Sequence, residues 1–189
     1  MYSSLSSAIA AAEQAGVLLA HLALETEARD QGRPVAEIRD ALRRALVVMR
    51  GAVERGLAGD LRSASGLVGG DAAKVGQSSK GPFAGTPFAD VLARALAVQE
   101  VNAAMGVIVA APTAGGAGVL PAVLTGLAAA RGIGDDALVD ALATAGLIGA
   151  VVADRASLSG AEGGCQAETG AAAGMAAGAA TEKIGRAHV

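Results

Sequence analysis

Apolar residues recur every three or four positions after Pro34, and this is the clearest periodic pattern in the chain. Charged residues fill most of the positions in between, as an amphipathic helix with one buried stripe and one solvated face requires. The apolar positions of the pattern are Val35, Ile38, Leu42, Leu46, Met49 and Val53. The pattern therefore predicts a long helix that opens at Pro34, a residue suited to the first turn because it lacks an N–H.

Capping residues and glycines predict six further helices. The expected segments are 7–16, 17–31, 86–105, 121–132, 135–153 and 166–182. Ser6 or Ser7 is the expected cap of the first helix. Thr86 is the expected cap of the helix that follows the long loop, with Pro87 at its first helical position.

Strand signals are weak along the whole chain, because no alternating apolar pattern bounded by hairpin residues occurs. The Gly- and Ser-rich stretch 60–85 is expected to be a loop, with a short helical turn near Asp71. Hydrophobic residues make up 52% of the 189 residues but aromatic residues only 2%, so helices must pack closely over small side chains. We expect one all-α, Ala- and Gly-rich domain with glycine-rich loops and little or no β-structure.

One long apolar stretch raises the question of membrane insertion. Residues 101–130 contain no charge and are long enough to span a bilayer, but Pro112, Gly115 and Pro121 interrupt them. Such breaks would leave backbone groups unbonded in lipid, so a buried loop between two helices is expected instead. The segment 135–153 is apolar on all sides in its interior and is expected to be a central core helix.

Charge and the N-terminus exclude other classes of protein. The net charge of −3, without a basic cluster or aromatic platforms, gives nucleic-acid binding little support. Acidic residues begin by Glu13 and no basic region precedes an apolar stretch, which predicts no signal peptide.

The single cysteine, Cys165, lies between a glycine pair and two carboxylates. One thiol cannot form an intramolecular disulfide, and this usage fits a reducing, cytoplasmic compartment. The glycines leave room for a bulky partner, and the start of the expected helix 166–182 favours a thiolate. The alternative is that Cys165 is a small buried core residue, as free cysteines often are.

The other polar residues near this segment allow two interpretations each. Glu162 or Glu168 could accept a proton or a hydrogen bond, or each could be a solvated carboxylate. His21 is expected on a helix face rather than as a base, and His188 lies in the last residues of the chain, so neither is assigned a catalytic role.

Two glycine loops, 66–71 and 114–118, precede expected helices. Backbone N–H groups in such loops can cradle an anion, for which an amino-acid substrate would supply a carboxylate. The ending of a nucleotide-binding P-loop is absent from 114–118. On their own, both loops are better explained as tight turns with close packing and no ligand.

Three stretches closely resemble a known family. They are SGLVGGD at 65–71, NAAMGVIVAAPTAGGAGVLP at 102–121 and SLSGAEGGCQAE at 157–168. Together they resemble the alpha chain of the two-subunit bacterial type of iron-sulfur L-serine dehydratase, in the family's order and approximate spacing. The resemblance covers nearly the whole chain, from about residue 8 to about residue 183.

The resemblance implies a 4Fe-4S cluster held by three thiolates, which deaminates L-serine to pyruvate and ammonia. Cys165 matches the first cluster ligand. The other two ligands normally lie in a downstream Cys-Asp-Pro segment and a later Pro-Cys pair, which this chain does not contain. The base that removes the α-proton, and the preference for serine over threonine, stay open.

The resemblance also implies a beta chain as partner, an oligomer, and an active-site wall built from the glycine loops. The residues expected to bind substrate are Gly69, Gly70, Thr113, Gly115, Gly116, Ser157 and Ser159. Residues 1–183 are expected to form a C-terminally incomplete alpha-chain domain, and 184–189 a tail foreign to the family. The alternative function is a non-catalytic helical partner that keeps the alpha-chain fold.

A spatial expectation follows from the helices at 121–132 and 135–153. If they form an antiparallel pair joined by a short turn, the chain returns near its starting point. The loops 112–118 and 157–164, which flank this pair, should then lie close together at one end of it.

Overall fold

A computed structural model describes residues 2–78 and 80–184 of the chain. Those residues form nine helices and no strand, which confirms the expected all-α fold. The helices are α1 (Leu5–Ala15), α2 (Leu19–Gln31), α3 (Val35–Leu57), α4 (Asp71–Gln77), α5 (Pro87–Ala103), α6 (Val119–Arg131), α7 (Asp135–Arg155), α8 (Gly160–Gly163) and α9 (Cys165–Ile184).

The helix ends follow the local signals with two differences. Gly16, Gly32 and Gly132 end α1, α2 and α6 in the left-handed conformation that glycine adopts readily. The cap of α1 is Ser4 rather than Ser6 or Ser7, because the side chains of Ser4 and Ser7 form a reciprocal capping box. The second difference is α8, a single turn within a segment that was expected to be entirely loop.

Ion pairs join the polar face of α3 to the start of α7. Arg39 contacts Asp140 at 2.5 Å, and Arg43 donates to Asp136 at 2.7 Å. Further along α3, Arg50 donates to Asp135 at 2.6 Å. These arginines were expected on the solvated face of α3. They also form ion pairs with the neighbouring helix α7.

The core is centred on α7, as the apolar sequence predicted. Leu138, Val139 and Leu142 are buried and pack with Leu124 of α6 and Met175 of α9. The helix α9 packs against both α6 and α7. It approaches α7 closely at Gly178, where an added Cβ would overlap the side chain of Ile148. The helices α6 and α7, which were expected to pack as a pair, make little direct contact with each other. Both pack against α9 instead.

By length and composition alone, α7 could cross a membrane. Its apolar window is, however, 61% buried inside the fold. Such burial is what a core helix of this composition requires.

A carboxylate near the end of α9 ties three helices together. Glu182 accepts the backbone N–H of Ala20 at 3.0 Å, in the first turn of α2, and also the hydroxyl of Thr144 in α7. The cap residue of α2, Leu18, makes no side-chain cap bond. Glu182, from a distant part of the chain, therefore caps the N-terminus of α2.

Candidate functional site

The loops 112–118 and 157–164 meet at the side chain of Glu168, in the first turn of α9. A Cβ atom added at Gly115 would lie 2.5 Å from Glu168 Oε2, and one added at Gly160 would lie 2.8 Å from the same atom. The two loops are therefore close together, as expected, and their glycines leave the room that the carboxylate fills.

Gly116 contacts the same helix on its next turn. A Cβ at Gly116 would lie 3.0 Å from the backbone oxygen of Glu168 and 3.1 Å from the Cβ of Ala172. Gly116 is buried whereas Gly115 is exposed. The glycine pair therefore has two tasks, since Gly116 allows the loop to pack on α9 and Gly115 borders the open side.

Cys165 is the first residue of α9 and its free thiol is exposed. It precedes Glu168 by three positions, so both residues lie in the same helical turn. Gly164, immediately before it, has no neighbour within 4 Å of an added Cβ. The alternative that Cys165 is a buried core residue is wrong, and the thiol is accessible to a bulky partner.

The hydroxyls of Ser157 and Ser159 form hydrogen bonds within their own loop. Ser157 Oγ donates to Glu162 Oε2 at 2.6 Å and accepts the backbone N–H of Ser159 at 3.2 Å. Ser159 Oγ accepts the backbone N–H of Ala161 and caps α8. Their expected role in substrate binding stays a prediction, and any ligand would compete with these bonds.

The other glycine loop, 66–71, contains a carboxylate of the chain itself. Glu100, a residue of α5 that is only 4% exposed, accepts the backbone N–H of Gly70 at 2.8 Å. Its second oxygen accepts the N–H groups of Asp71 at 2.7 Å and Ala72 at 2.9 Å. Gly70 has φ 84°, a left-handed conformation that turns these N–H groups toward one point.

This arrangement bears on the expected role of Gly69 and Gly70. The loop does bind an anion, but the anion is the Glu100 carboxylate. Direct binding of a substrate carboxylate by the same N–H groups would require Glu100 to leave. Gly69 and Gly70 remain predicted site residues, and the structure gives them the contact that positions their loop.

Two amides of α5 hold the loop 112–118. Gln99 Nε2 donates to the carbonyl oxygen of Gly115 at 2.9 Å, and Asn102 Nδ2 donates to that of Ala114 at 3.3 Å. Thr113, in the same loop, has a buried hydroxyl without a hydrogen-bond partner among the described residues. The C-terminal end of α5 therefore binds both glycine loops, through Gln99 and Asn102 on one side and Glu100 on the other.

Sequence reasoning did not identify Gln99 and Glu100 as part of the site. A signal existed, because a glutamate with a glutamine beside it is unusual in the otherwise apolar stretch that follows Arg94. The partners of Glu100, however, lie about 30 residues earlier in the chain. Only the fold brings them together.

Among the described residues, the clearest candidate metal ligand is the Cys165 thiol. The described residues contain no group of three or more His, Cys, Asp or Glu side chains that could hold a metal ion. An iron-sulfur cluster is normally held by several cysteine thiolates, and the sequence contains one cysteine. Cys165 fits as one ligand because it is exposed and uncrowded, while the chain alone does not supply a complete cluster site.

Other features lie away from these loops. His21 is exposed on α2, and His188 lies outside the described residues. A cavity of about 500 Å³ opens between α2, α3 and α7, lined by apolar residues such as Leu42 and Leu147. None of the candidate residues lines it.

Comparison with known proteins identifies the family. The family model described as "Serine dehydratase alpha chain" matches residues 14–188. The chain belongs to this family. The match confirms the resemblance carried by the three stretches.

Three curated relatives illustrate the similarity of this chain to known proteins. A "Probable L-serine dehydratase, alpha chain" of Bacillus subtilis is 47% identical over 146 residues, covering 74% of this chain and 47% of the relative. The "L-serine dehydratase, alpha chain" of Peptoniphilus asaccharolyticus is 35% identical, with coverages of 90% and 59%. The "L-serine dehydratase" of Streptomyces coelicolor is 39% identical over 180 residues, with coverages of 92% and 39%.

The chain spans about half the length of the curated relatives it matches. The expected boundary at residue 183 stays a prediction, and residues 185–189 lie outside the described part of the chain.

Proposed function

We propose that this chain is the alpha-type part of an enzyme that deaminates L-serine to pyruvate and ammonia. The observation that carries the proposal is the meeting of the loops 112–118 and 157–164 beside Glu168, one helical turn from the exposed Cys165. The names of the relatives supply the reaction. The non-catalytic alternative has no specific observation in its favour.

The proposed cofactor is an iron-sulfur cluster, with Cys165 as one of its ligands. Such a group would supply a Lewis acid that stabilises the charge on the serine hydroxyl as it leaves. Cys165 begins α9, where unbonded N–H groups favour an anionic ligand. The remaining ligands would come from protein outside this chain.

The residues of this chain would bind and orient the substrate. Gly115 and Gly160 leave the room that the Glu168 carboxylate occupies, so this carboxylate lies between the two loops. Gln99 and Asn102 fix the loop 112–118 on one side of it. Rigid support of this kind matters because a small substrate must be held in one orientation for elimination.

The proposed partners are L-serine and a beta chain, in an oligomeric assembly. The printed names "alpha chain" of two relatives support a second chain. We also propose a cytoplasmic location, because a single unpaired cysteine fits a reducing compartment.

A chimera tests the function. The segment of this chain that matches the Streptomyces coelicolor protein, which is 92% of its length, would replace the matching segment of that protein. After anaerobic reconstitution with iron and sulfide, we expect pyruvate from L-serine and the broad visible absorbance of an iron-sulfur cluster. Cys165→Ala in the chimera should abolish both.

Two results would contradict the proposal. A folded chimera without pyruvate formation would favour the non-catalytic alternative. A Cys165→Ala chimera with normal absorbance and near-normal turnover would remove Cys165 from the ligand set. For the 189-residue chain alone we expect no pyruvate above a no-protein control, because one thiolate is too few to hold a cluster.

A further inference from the structure

The segment 106–110, which joins α5 to the loop 112–118, runs without helix, turn or bend. No other run of this kind among the described residues is as long. No hydrogen bond joins the backbone of residues 107–110 to another described residue. Their N–H and C=O groups therefore form an unpaired edge, like that of the outermost strand of a sheet.

The side chains of this segment suit a strand. Val107, Ile108 and Val109 are consecutive β-branched residues, which are enriched in strands. Ile108 packs on the buried cluster around Val98, and Val109 packs on the core around α7. Val107, in contrast, is 74% exposed. The segment is thus anchored to the domain on one side and open on the other.

An exposed apolar surface surrounds this open edge. Met105, just before the segment, is 89% exposed and has φ 60°, a conformation that bulky residues seldom adopt. Val107 also borders an open groove of about 330 Å³, whose other lining residues are mainly apolar and include Val48 and Val101. An apolar surface beside an unpaired backbone edge is typical of an interaction site.

The chemistry of the segment indicates which partner it fits. A partner must supply an unpaired apolar strand, and the next longest run of this kind in the described residues, 60–63, contains Asp60 and Arg62. Residues 101–130 contain no charge, so two copies of the segment 106–110 approach without like-charge repulsion. Antiparallel pairing about a two-fold axis gives both copies the same hydrogen bonds.

We propose that the segment 106–110 pairs with the same segment of a second copy of this chain, as two antiparallel strands, with Met105 and Val107 buried between the copies. This inference goes beyond the proposed reaction and does not depend on it. Because the segment leads directly into the loop 112–118, the interface would lie beside the candidate site of each copy.

The test combines sedimentation with hydrogen exchange of the 189-residue protein, from micromolar to millimolar concentration. We expect a monomer–dimer equilibrium. The amides of residues 107–110 should exchange at least about tenfold more slowly in the dimer than in the monomer, because pairing protects them. Association through side chains alone would leave these amides unprotected, so the exchange measurement tests the strand itself.

Val107→Lys should weaken dimer formation by at least about tenfold, since it places two like charges in the paired strands. The side chain is exposed in the single chain, so the fold should be unaffected, which circular dichroism would check. Ile9→Lys is the matched control, because Ile9 is an exposed apolar residue on α1. Its dimerisation should equal that of the unmodified protein.

Three outcomes would overturn the inference. A protein that stays monomeric at all concentrations would do so, even if a different chain protected the amides of residues 107–110, since the edge would then belong to that partner. A dimer in which these amides exchange as fast as in the monomer would use another surface. Equal dimerisation of Val107→Lys and the unmodified protein would exclude the segment from the interface.

Discussion

The carboxylate of Glu100 accepts the backbone N–H of Gly70 across 30 positions of sequence, at 2.8 Å. The same side chain accepts the N–H groups of Asp71 and Ala72, so it caps α4 from the interior of the domain. Charged hydrogen bonds in a buried place are among the stronger ones in proteins. This contact fixes the loop 66–71 to α5, which also holds the other glycine loop.

Glu100→Gln should therefore destabilise the protein. The amide keeps one acceptor oxygen, but its NH₂ group would face N–H donors that then lack a partner. Leaving buried donors unsatisfied typically costs about 1–3 kcal/mol. Urea unfolding at pH 7, followed by circular dichroism, would measure the change, and hydrogen exchange should accelerate at residues 70–72.

The matched control for this prediction is Glu54→Gln on the exposed face of α3. An exposed substitution of this kind is usually within about 0.5 kcal/mol of the unmodified protein. If Glu100→Gln were as stable as Glu54→Gln, the three N–H contacts would contribute nothing measurable to the fold.

The helices could be predicted from sequence because their signals are local. The end of α2 is marked by Gly32, and the start of α5 by Thr86, which caps it as expected. The cap of α1 was placed wrongly because four serines, at positions 3, 4, 6 and 7, offer similar local signals. Only the reciprocal bonding of Ser4 and Ser7 distinguishes them.

The loops of the site were predictable from the sequence, but the contacts of its carboxylates were not. The loops that contain Gly115 and Gly160 were expected to lie close together, yet nothing in the sequence showed that both glycines face Glu168. Glu100 lies in a helix and its partners lie in a loop, so no local pattern links them. Contacts between distant segments depend on how the helices pack, which periodicity does not determine.

Gly118→Ala and Gly115→Ala should have different effects although they lie in one loop. A Cβ at Gly118 would lie 2.5 Å from the backbone oxygen of Ala95, and a backbone cannot move aside as a side chain can. We expect a loss of stability of about 1–3 kcal/mol, typical of overpacking. Thermal or urea unfolding would measure it.

A Cβ at Gly115 meets only the end of the Glu168 side chain, which can rotate away. The loss of stability should then be below about 1 kcal/mol, since a rotamer change costs little. The carboxylate would nevertheless be displaced, which chemical-shift changes at residues 157–168 would report. Equal destabilisation by both substitutions would show that Glu168 is held rigidly in place.

Cys165→Ala should leave the stability of the isolated chain unchanged. The thiol is exposed and makes no side-chain hydrogen bond among the described residues, so its removal creates no cavity. The change in unfolding free energy should be within about 0.5 kcal/mol. In the unmodified protein the thiol should react at once with a thiol-specific reagent under native conditions, and slow reaction would contradict its exposure.

Glu182→Gln tests the tie between α9, α2 and α7. The carboxylate bonds the backbone N–H of Ala20 and the hydroxyl of Thr144. Loss of the charge at the start of α2 should cost about 0.5–2 kcal/mol, as loss of a helix cap does. Urea unfolding would measure this cost, and hydrogen exchange at the first turn of α2 should accelerate while α5 is unaffected.

The ion pairs between α3 and α7 predict loss of stability in acid. The hydrogen bond that Arg43 donates to Asp136 lowers the pKa of this carboxyl below its ordinary range, and the charge of Arg39 adds to the effect. Arg50 lowers the pKa of Asp135 in the same way. Both aspartates therefore remain ionised in the folded protein at a pH where they are protonated in the unfolded chain.

The sign of the effect follows from proton uptake. As the pH falls below about 4, the ordinary value for aspartate, the unfolded chain binds protons first and is favoured. The stabilisation from these pairs is thus fully present above that pH and is lost as the pH falls through the lowered pKa values of the folded state. Both aspartates are exposed, so added salt should weaken the effect by screening.

Asp136→Asn should lower the free energy of unfolding at pH 6. At pH 3 the free energies of unfolding of the variant and the unmodified protein should differ less. The asparagine cannot form the ion pair at either pH, whereas the aspartate forms it only at the higher one. Asp154→Asn is the control, since Asp154 is exposed on the same helix and no ion pair reaches it within the described residues. Urea midpoints at the two pH values would measure both variants, and a constant difference for Asp136→Asn would show that its ionisation does not contribute to stability.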